Sequence, residues 1–449
     1  AGAKTEVRKC SALVMPDPEI ENVTETYDSL IKGTYNEILA GVATGSAITG
    51  YFGPFEDNYA VQLNNEAKIR FGMNFIHSVD GQKYANYPVI AATRYYMDGS
   101  EGKDDYIEVG HDFTMKDVLN TQEYQHNNNY AYWITGKQLK EWIEWSASIY
   151  AKTDEKITSD DTLSTLMSQW NAASVLSQNW TNDWHSFTVF DGLEYEIDAS
   201  KPARYNDGGN IVQADAERVK KLTYNGQAVT DDMKFIIVDN YVSKNQAVIN
   251  ALYNQRLTKK EYRCTYYMKN YVRELGKFGA IEDQADHNWS VSFGDKANYI
   301  VKSSSLSEMY AMVKPWYKRT LKVTDDYAYY LADMAKSARE EDIYGPLLVL
   351  SPSATVETND DITIYAQASD ASGVKEIRYQ EGQVEKDADS WDSAASLTDN
   401  KLTVSKNGIY SFCAVDLLGN KTVKYIEISN INPNVLQIPT IDKFSNKKT

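Results

Sequence analysis

The sequence predicts an α+β domain of mixed α/β character followed by a small all-β sandwich. Three observations carry that prediction. Up to about residue 345, helix-like spacing of apolar residues alternates with short strand-like runs. Beyond Tyr344-Gly345-Pro346 the period becomes two, in DITIYAQASD, VKEIRYQEG, KLTVSKNG, IYSFCAVD and KTVKYIEIS, with Gly, Asn and Asp between the runs. At 449 residues the chain is also too long for one typical domain.

Taken in order, residues 1–15 alternate around Val7, Cys10 and Leu13 and read as one strand. Pro16-Asp17-Pro18 opens a helix, because proline suits a first turn where no amide donor is needed. Ile20, Val23, Tyr27, Leu30, Ile31, Tyr35, Ile38 and Leu39 continue it as one apolar stripe, so a single helix is expected within residues 16–50. Residues 60–150 read as mixed α/β. Val89 to Ala92 and Tyr130 to Ile134 are strands, and Thr135-Gly136-Lys137 turns into a helix whose buried face is Leu139, Trp142, Ile143 and Ser146. Residues 150–185 are a polar excursion. Residues 187–198 form a strand pair bent at Asp191-Gly192, Asn225-Gly226 marks a hairpin, and Phe235 to Val238 is a strand. Residues 246–280 read as helices, and 431–449 as a polar tail.

A formal net charge of −17 excludes a nucleic-acid polymer as the expected partner, since such binders carry a basic stripe. The sequence has no run of 18 or more apolar residues, so no membrane-spanning helix is expected. Cys10, Cys264 and Cys413 are too scattered for a disulfide framework or a zinc site. Of five histidines, only His111, in Gly110-His111-Asp112, stands in a context resembling a metal-ligand motif, and it is expected to be an ordinary turn residue. Nucleophile-elbow and phosphate-loop motifs are absent. The reading therefore assigns no catalytic residue, no metal ligand and no cofactor to this chain.

Residues 86–146 and 187–241 together resemble the C-terminal domain of the 5'-nucleotidase family. The branch they resemble is that of the bacterial 2',3'-cyclic-nucleotide 2'-phosphodiesterase/3'-nucleotidases. The resemblance is most specific in Lys201-Pro202-Ala203-Arg204-Tyr205, Ala216-Glu217-Arg218 and Leu222-Thr223-Tyr224-Asn225-Gly226, with an echo at Asp286-His287-Asn288-Trp289. The resemblance implies that residues 51–345 are a substrate-recognition domain, that 16–50 is the connecting helix, and that 1–15 is a remnant of an upstream metallophosphoesterase domain. That upstream domain would hold two divalent metal ions. Gly408-Ile409-Tyr410 to Val415-Asp416 and Leu418-Gly419-Asn420 resemble bacterial Ig-like modules, so 346–430 is expected to be an Ig-like spacer or adhesive unit.

In the family, two aromatic rings clamp the nucleobase. The resemblance places the first at His126, with Asn128 as its asparagine and Tyr124 as an alternative platform. Asn127-Asn128-Asn129 offers amide donors and acceptors for base edges. Asn240-Tyr241 matches the Asn-Tyr ahead of the second ring, but Lys244 stands where that ring belongs, and Asn245-Gln246 replaces a glycine pair. Asn64 and Asn65 match an Asn-Asn near the site, and Arg94 lies near an anion-binding arginine of some members. The expected ligand is a nucleoside or nucleotide. The expected location is extracellular or cell-wall associated, in a bacterium, with a cell-surface partner for the Ig-like module. The alternative is a divergent, non-catalytic surface binding protein that has lost nucleotide affinity.

Overall fold

The computed structural model describes residues 28–44, 46, 48–49, 57–94, 108–121, 127–150, 187–206, 208–240, 249–259, 262–292, 298–301, 321–324, 327–331 and 342–435. The predicted strand 1–15, nearly all of the excursion 150–185, and Tyr124, His126, Tyr241 and Lys244 lie outside them.

Helix α1 covers residues 28–35, and the apolar stripe does not continue as a helix beyond it. Ile38–Ala40 is instead strand β1, pairing antiparallel with β5 (Phe113–Thr114). A non-local partner has overridden local periodicity. Strand β2 (Ile48–Thr49) pairs with β4 (Glu108–Val109).

Helix α2 (Tyr59–Ile76) is the spine of the domain. Asn58 caps it by accepting the Val61 N–H at 3.0 Å. Nearly every residue of α2 is buried, so it lacks the one-sided stripe of a surface helix. Gly72 lets it approach the sheet: a Cβ there would lie 2.4 Å from Val89 Cγ1 and 2.9 Å from Val238 Cγ2.

The sheet beneath α2 has the order β6-β11-β3-β7, with β3 (Val89–Arg94), β6 (Tyr130–Thr135), β7 (Thr188–Asp191) and β11 (Lys234–Asp239). Strands β3 and β11 are parallel, and the β6 and β7 pairings are antiparallel. Helix α3 (Met115–Asn120) precedes β6, and α4 (Gly136–Ser146) follows it behind a Thr135/Gln138 capping box.

The two predicted strands of 187–198 both exist but do not pair with each other. Strand β7 belongs to the sheet above. Strand β8 (Glu194–Asp198) joins a second sheet of order β10-β9-β8-β12, with β9 (Val219–Tyr224), β10 (Gln227–Ala228) and β12 (Trp289–Ser292). Asp191-Gly192 is thus where the chain changes sheets. Asn225 (φ 52°) and Gly226 (φ 72°) make the predicted hairpin between β9 and β10, both in the left-handed region that a type I′ turn demands.

The run 246–280 is only partly helical. A single turn, Asn250–Tyr253, leads into an extended stretch along the outer edge of β6, where Leu257 N–H bonds Ala131 O and Asn129 N–H bonds Tyr262 O. A helix, Cys264–Gly276, follows. The extended stretch supplies partners to an edge strand that would otherwise be open. Strands β13 (Asn298–Val301), β14 (Leu321–Thr324) and β15 (Tyr327–Leu331) form a separate sheet of order β13-β15-β14.

The C-terminal part is a two-sheet antiparallel sandwich. One sheet has the order β16-β17-β20, with β16 (Leu347–Pro352), β17 (Ile362–Ser369) and β20 (Lys401–Val404). The other has the order β19-β18-β21-β22, with β18 (Val374–Glu381), β19 (Ala395–Ser396), β21 (Gly408–Asp416) and β22 (Lys421–Ile428). Leu348, Leu350, Ile362, Ile364, Phe412, Ala414 and Ile426 fill the space between the sheets. Strand β16 is buried on both faces, as its unbroken apolar run requires. Leu348 and Leu350 point into the sandwich, whereas Leu347 and Val349 join Ile69, Phe71, Met73, Ile76 and Val89 in the core around α2. The sandwich is therefore seated on the first domain. Gln367 extends the contact by bonding both the N–H and the C=O of Val89, at 3.0 and 2.6 Å, and Tyr365 stacks on His77. The start of the predicted tail is also attached, through Asn432 N–H to Thr358 O at 2.7 Å.

Candidate functional site

The C-terminal ends of the parallel strands β3 and β11 and the N-terminal end of β6 lie together, with Asp239 opposite Tyr130. Ligands of open α/β sheets collect at such an end. Asn127-Asn128-Asn129 enters β6 there, and Asn240 leaves β11 there. The start of the helix Cys264–Gly276 closes the same region: Cys264 N–H bonds Asn127 O at 3.1 Å, and Asn128 bridges Arg263.

The asparagine loop holds three side-chain atoms that are shut off from water and lack a hydrogen-bond partner: Asn127 Nδ2, Asn128 Oδ1 and Asn129 Oδ1. Unpaired buried amide groups are costly, at about 1–3 kcal/mol each. One donor and two acceptors thus stand in consecutive residues at the sheet end. Beside them, Tyr130 is covered by the Arg256 guanidinium, 4.6 Å from the ring centroid.

The other expected site residues sit deeper. Asn64 is buried and donates from Nδ2 to Thr121 O at 3.0 Å, holding the end of α3. Asn65 is fully buried. It accepts from Thr93 Oγ1 at 2.6 Å and donates to Asp191 Oδ2 at 2.5 Å. Both amides are committed to the protein interior, so they act by holding the chain that carries the site. Asn240 accepts from Lys68 Nζ at 3.4 Å. Arg94 ends β3, paired in register with Thr188.

Lys68 was not among the residues read from the sequence. It is buried on α2, and its ammonium donates to Ala92 O at 2.6 Å and Thr93 Oγ1 at 2.7 Å, with Asp239 Oδ1 at 4.0 Å. A charged residue inside an otherwise buried helix was the available signal, because burial of an ammonium demands partners. Lys68, Thr93, Asn65 and Asp191 form a continuous hydrogen-bonded line from Asn240 into the core.

That line ends in buried carboxylates. Burial pushes the Asp191 carboxyl up to about 7. Burial, then mutual charge repulsion, pushes Asp57 and Asp286 up as well. Asp57 Oδ1, Asp191 Oδ1 and Asn288 Oδ1 are buried acceptors without donors, and a proton on a carboxyl supplies the missing donor. At Asp191 the folded state therefore binds more protons than the unfolded chain between about pH 4 and 7. The stability contributed by this carboxyl is expected to fall as pH rises through that window. Thermal melts from pH 5 to 8 check this: Asp191→Asn should flatten the decline, and an unchanged slope contradicts the assignment.

The motifs that carry the sequence resemblance prove to be architectural. Arg218 is buried, with Nε bonding Lys201 O at 2.8 Å and Nη1 bonding Ala147 O and Tyr150 O at 2.7 and 2.8 Å. The Glu144 carboxylate accepts the backbone N–H groups of Arg218 and Val219. Arg204 and Tyr205 both engage Glu141. Together these fasten the loop 201–218 onto α4. Asn288 Nδ2 bonds Phe190 O at 2.9 Å and Leu193 O at 2.8 Å, fixing the point where β7 passes into β8, and Trp289 stacks on Tyr195. His111 is exposed, with Nδ1 2.6 Å from Asp112 O.

Residues 72–252 match the family described as 5'-nucleotidase, C-terminal domain. A trifunctional nucleotide phosphoesterase protein of Bacillus subtilis is 24% identical over 297 residues, covering 65% of this chain and 19% of its own length. A 2',3'-cyclic-nucleotide 2'-phosphodiesterase/3'-nucleotidase of Yersinia enterocolitica is 26% identical over 270 residues, covering 58% of this chain and 38% of its own length. The chain thus spans well under half the length of these two relatives. Among solved structures, a 5'-nucleotidase precursor of Thermus thermophilus gives a TM-score of 0.38 at 12% identity, over 61% of this chain and 43% of that one.

Proposed function

The chain carries a 5'-nucleotidase C-terminal domain, and from that premise we propose that it is the nucleoside-recognising part of a secreted bacterial nucleotide phosphoester hydrolase. Bond cleavage would belong to a separate domain holding two divalent metal ions, and these residues alone would be inactive. The observation that supports the reading is the placement of Asn127-Asn128-Asn129 at the sheet end with amide atoms that no protein group pairs, amides being the groups that match base edges. Asn64 holds the end of α3, and Lys68 holds Asn240 at the end of β11. The sandwich, with strands ordered β16-β17-β20 and β19-β18-β21-β22, fits an Ig-like module. Extracellular or cell-wall placement follows from the same reading.

Asn128→Ala removes one base contact while leaving the interior network intact. Calorimetry should show adenosine affinity falling about 5- to 30-fold, as expected for one lost hydrogen bond of about 1–2 kcal/mol. Unchanged affinity would remove Asn128 from the site. A second reading, a divergent surface protein without nucleotide affinity, draws on Asn245-Gln246 standing in place of the family's glycine pair, ahead of the helical turn Asn250–Tyr253. Absence of binding at millimolar adenosine and AMP would favour it.

A further inference from the structure

The chain has two Asn-Gly dipeptides, Asn225-Gly226 and Asn407-Gly408. Glycine carries no Cβ to shield its amide, so its nitrogen can reach the carboxamide of the asparagine before it. The fold holds the two pairs differently. Asn407 is clamped: its Nδ2 donates to Ile431 O at 2.9 Å, and its Oδ1 accepts the Ile431 N–H at 2.9 Å. Gly408 is the first residue of β21, in register with Ile428.

Asn225 and Gly226 form the tip of the hairpin between β9 and β10. A single hydrogen bond holds the Asn225 carboxamide, whose Oδ1 accepts the Val374 N–H at 3.3 Å. The Gly226 N–H has no acceptor among the described residues, and Gly226 is exposed. This tip is also where the hairpin meets the sandwich. A Cβ on Gly226 would stand 3.2 Å from Ser372 O, and one on Gly373 would stand 3.3 Å from Asn225 O. Ser372 and Gly373 lie in the loop between β17 and β18. The two surfaces touch with no space to spare.

We propose that Asn225 is a self-modifying site whose deamidation unfastens the sandwich from this hairpin. The Gly226 nitrogen attacks Asn225 Cγ and gives up its proton to solvent. The new N–Cγ bond closes a five-membered succinimide. The Cγ–Nδ2 bond breaks, and the nitrogen leaves as ammonia. Water then opens the ring, giving aspartate from one carbonyl and isoaspartate from the other. The Val374 N–H, donating to Oδ1, draws electron density from the carbon under attack. Ring closure requires rotation at the asparagine, which its hydrogen bonds resist, so the lightly held Asn225 reacts ahead of the clamped Asn407. Isoaspartate adds a carbon to the main chain of a two-residue turn, and the left-handed geometry that the hairpin needs is lost. Either product sets a carboxylate against the loop that carries Asp370.

The test is ageing of the full chain in warm, mildly alkaline buffer. Peptide mapping that separates aspartate from isoaspartate follows each site, with thermal melts at every time point. Asn225 should convert about five-fold faster than Asn407, the equivalent of one hydrogen bond fewer to break. The converted chain should melt about 2–4 °C lower, as loss of one contact between the domains implies. Asn225→Gly keeps a residue that suits the turn and has no carboxamide, so it should fold and hold its Tm on ageing. Conversion at Asn225 no faster than at Asn407 overturns the site. Conversion with an unchanged Tm overturns the unfastening. An equal fall in Asn225→Gly on ageing also overturns it, because the loss then arises elsewhere.

Discussion

A chain ended at Ile343 is expected to lose cooperative folding. The core around α2 is completed by Leu347 and Val349 of the sandwich, and the first residue of β3 has both backbone groups bonded by Gln367. Lys424 of β22 reaches the buried Glu66 of α2 at 3.5 Å and Gln284 at 2.9 Å. Removing the sandwich exposes that apolar surface and takes Lys424 away from Glu66, which keeps its hydrogen bonds from Tyr271 and Gln62. Each uncovered large side chain costs about 1.5–3 kcal/mol. Their sum is comparable with the whole stability of a domain, about 5–15 kcal/mol. Circular dichroism melts of the truncated and full chains decide the matter. If the sandwich were only a spacer, the truncated chain would melt at the full-length temperature. The milder Leu347→Ala should cost about 2–5 kcal/mol.

Arg218→Ala is expected to be the most damaging single substitution in the first domain. Its guanidinium satisfies three backbone carbonyls at once, and its backbone N–H bonds the buried Glu144 carboxylate. Burial lowers its pKa to about 10, so the charge persists at neutral pH. Loss of the side chain leaves those three carbonyls unpaired, at about 3–5 kcal/mol in all. Arg218→Lys should recover little, because an ammonium cannot spread its donors as a planar fork does. Denaturant unfolding measures both. A loss below about 1 kcal/mol in Arg218→Ala would mean that the loop 201–218 does not hold α4.

These two sites show what the sequence made legible. Turns are local, so the hairpin at Asn225-Gly226 and the bend at Asp191-Gly192 could be read from dipeptides, though not the change of sheet that the bend makes. Strand partners are not local, which is why β7 and β8 looked like one pair and Ile38-Leu39 looked helical. Helix α2 escaped notice because burial on nearly all sides erases the apolar stripe that marks a surface helix. Period-two alternation announced the sandwich, but its seating depends on Leu347 and on Tyr365 and Gln367, whose partners His77 and Val89 lie more than 270 residues away. In the site, family resemblance picked out Asn128 and the asparagines beside it. It also picked out Asn64 and Asn65, which the fold uses internally. Lys68 belongs to no motif, and only its burial reveals its part.

The most direct test of the central claim is calorimetric titration of the full chain with adenosine, 3'-AMP and ribose 5-phosphate. The account predicts saturable binding of the two base-bearing ligands and none of the sugar phosphate, since recognition rests on amide groups that pair with a base. Ribose 5-phosphate binding as tightly as 3'-AMP, or none of the three binding at millimolar concentration, would contradict it.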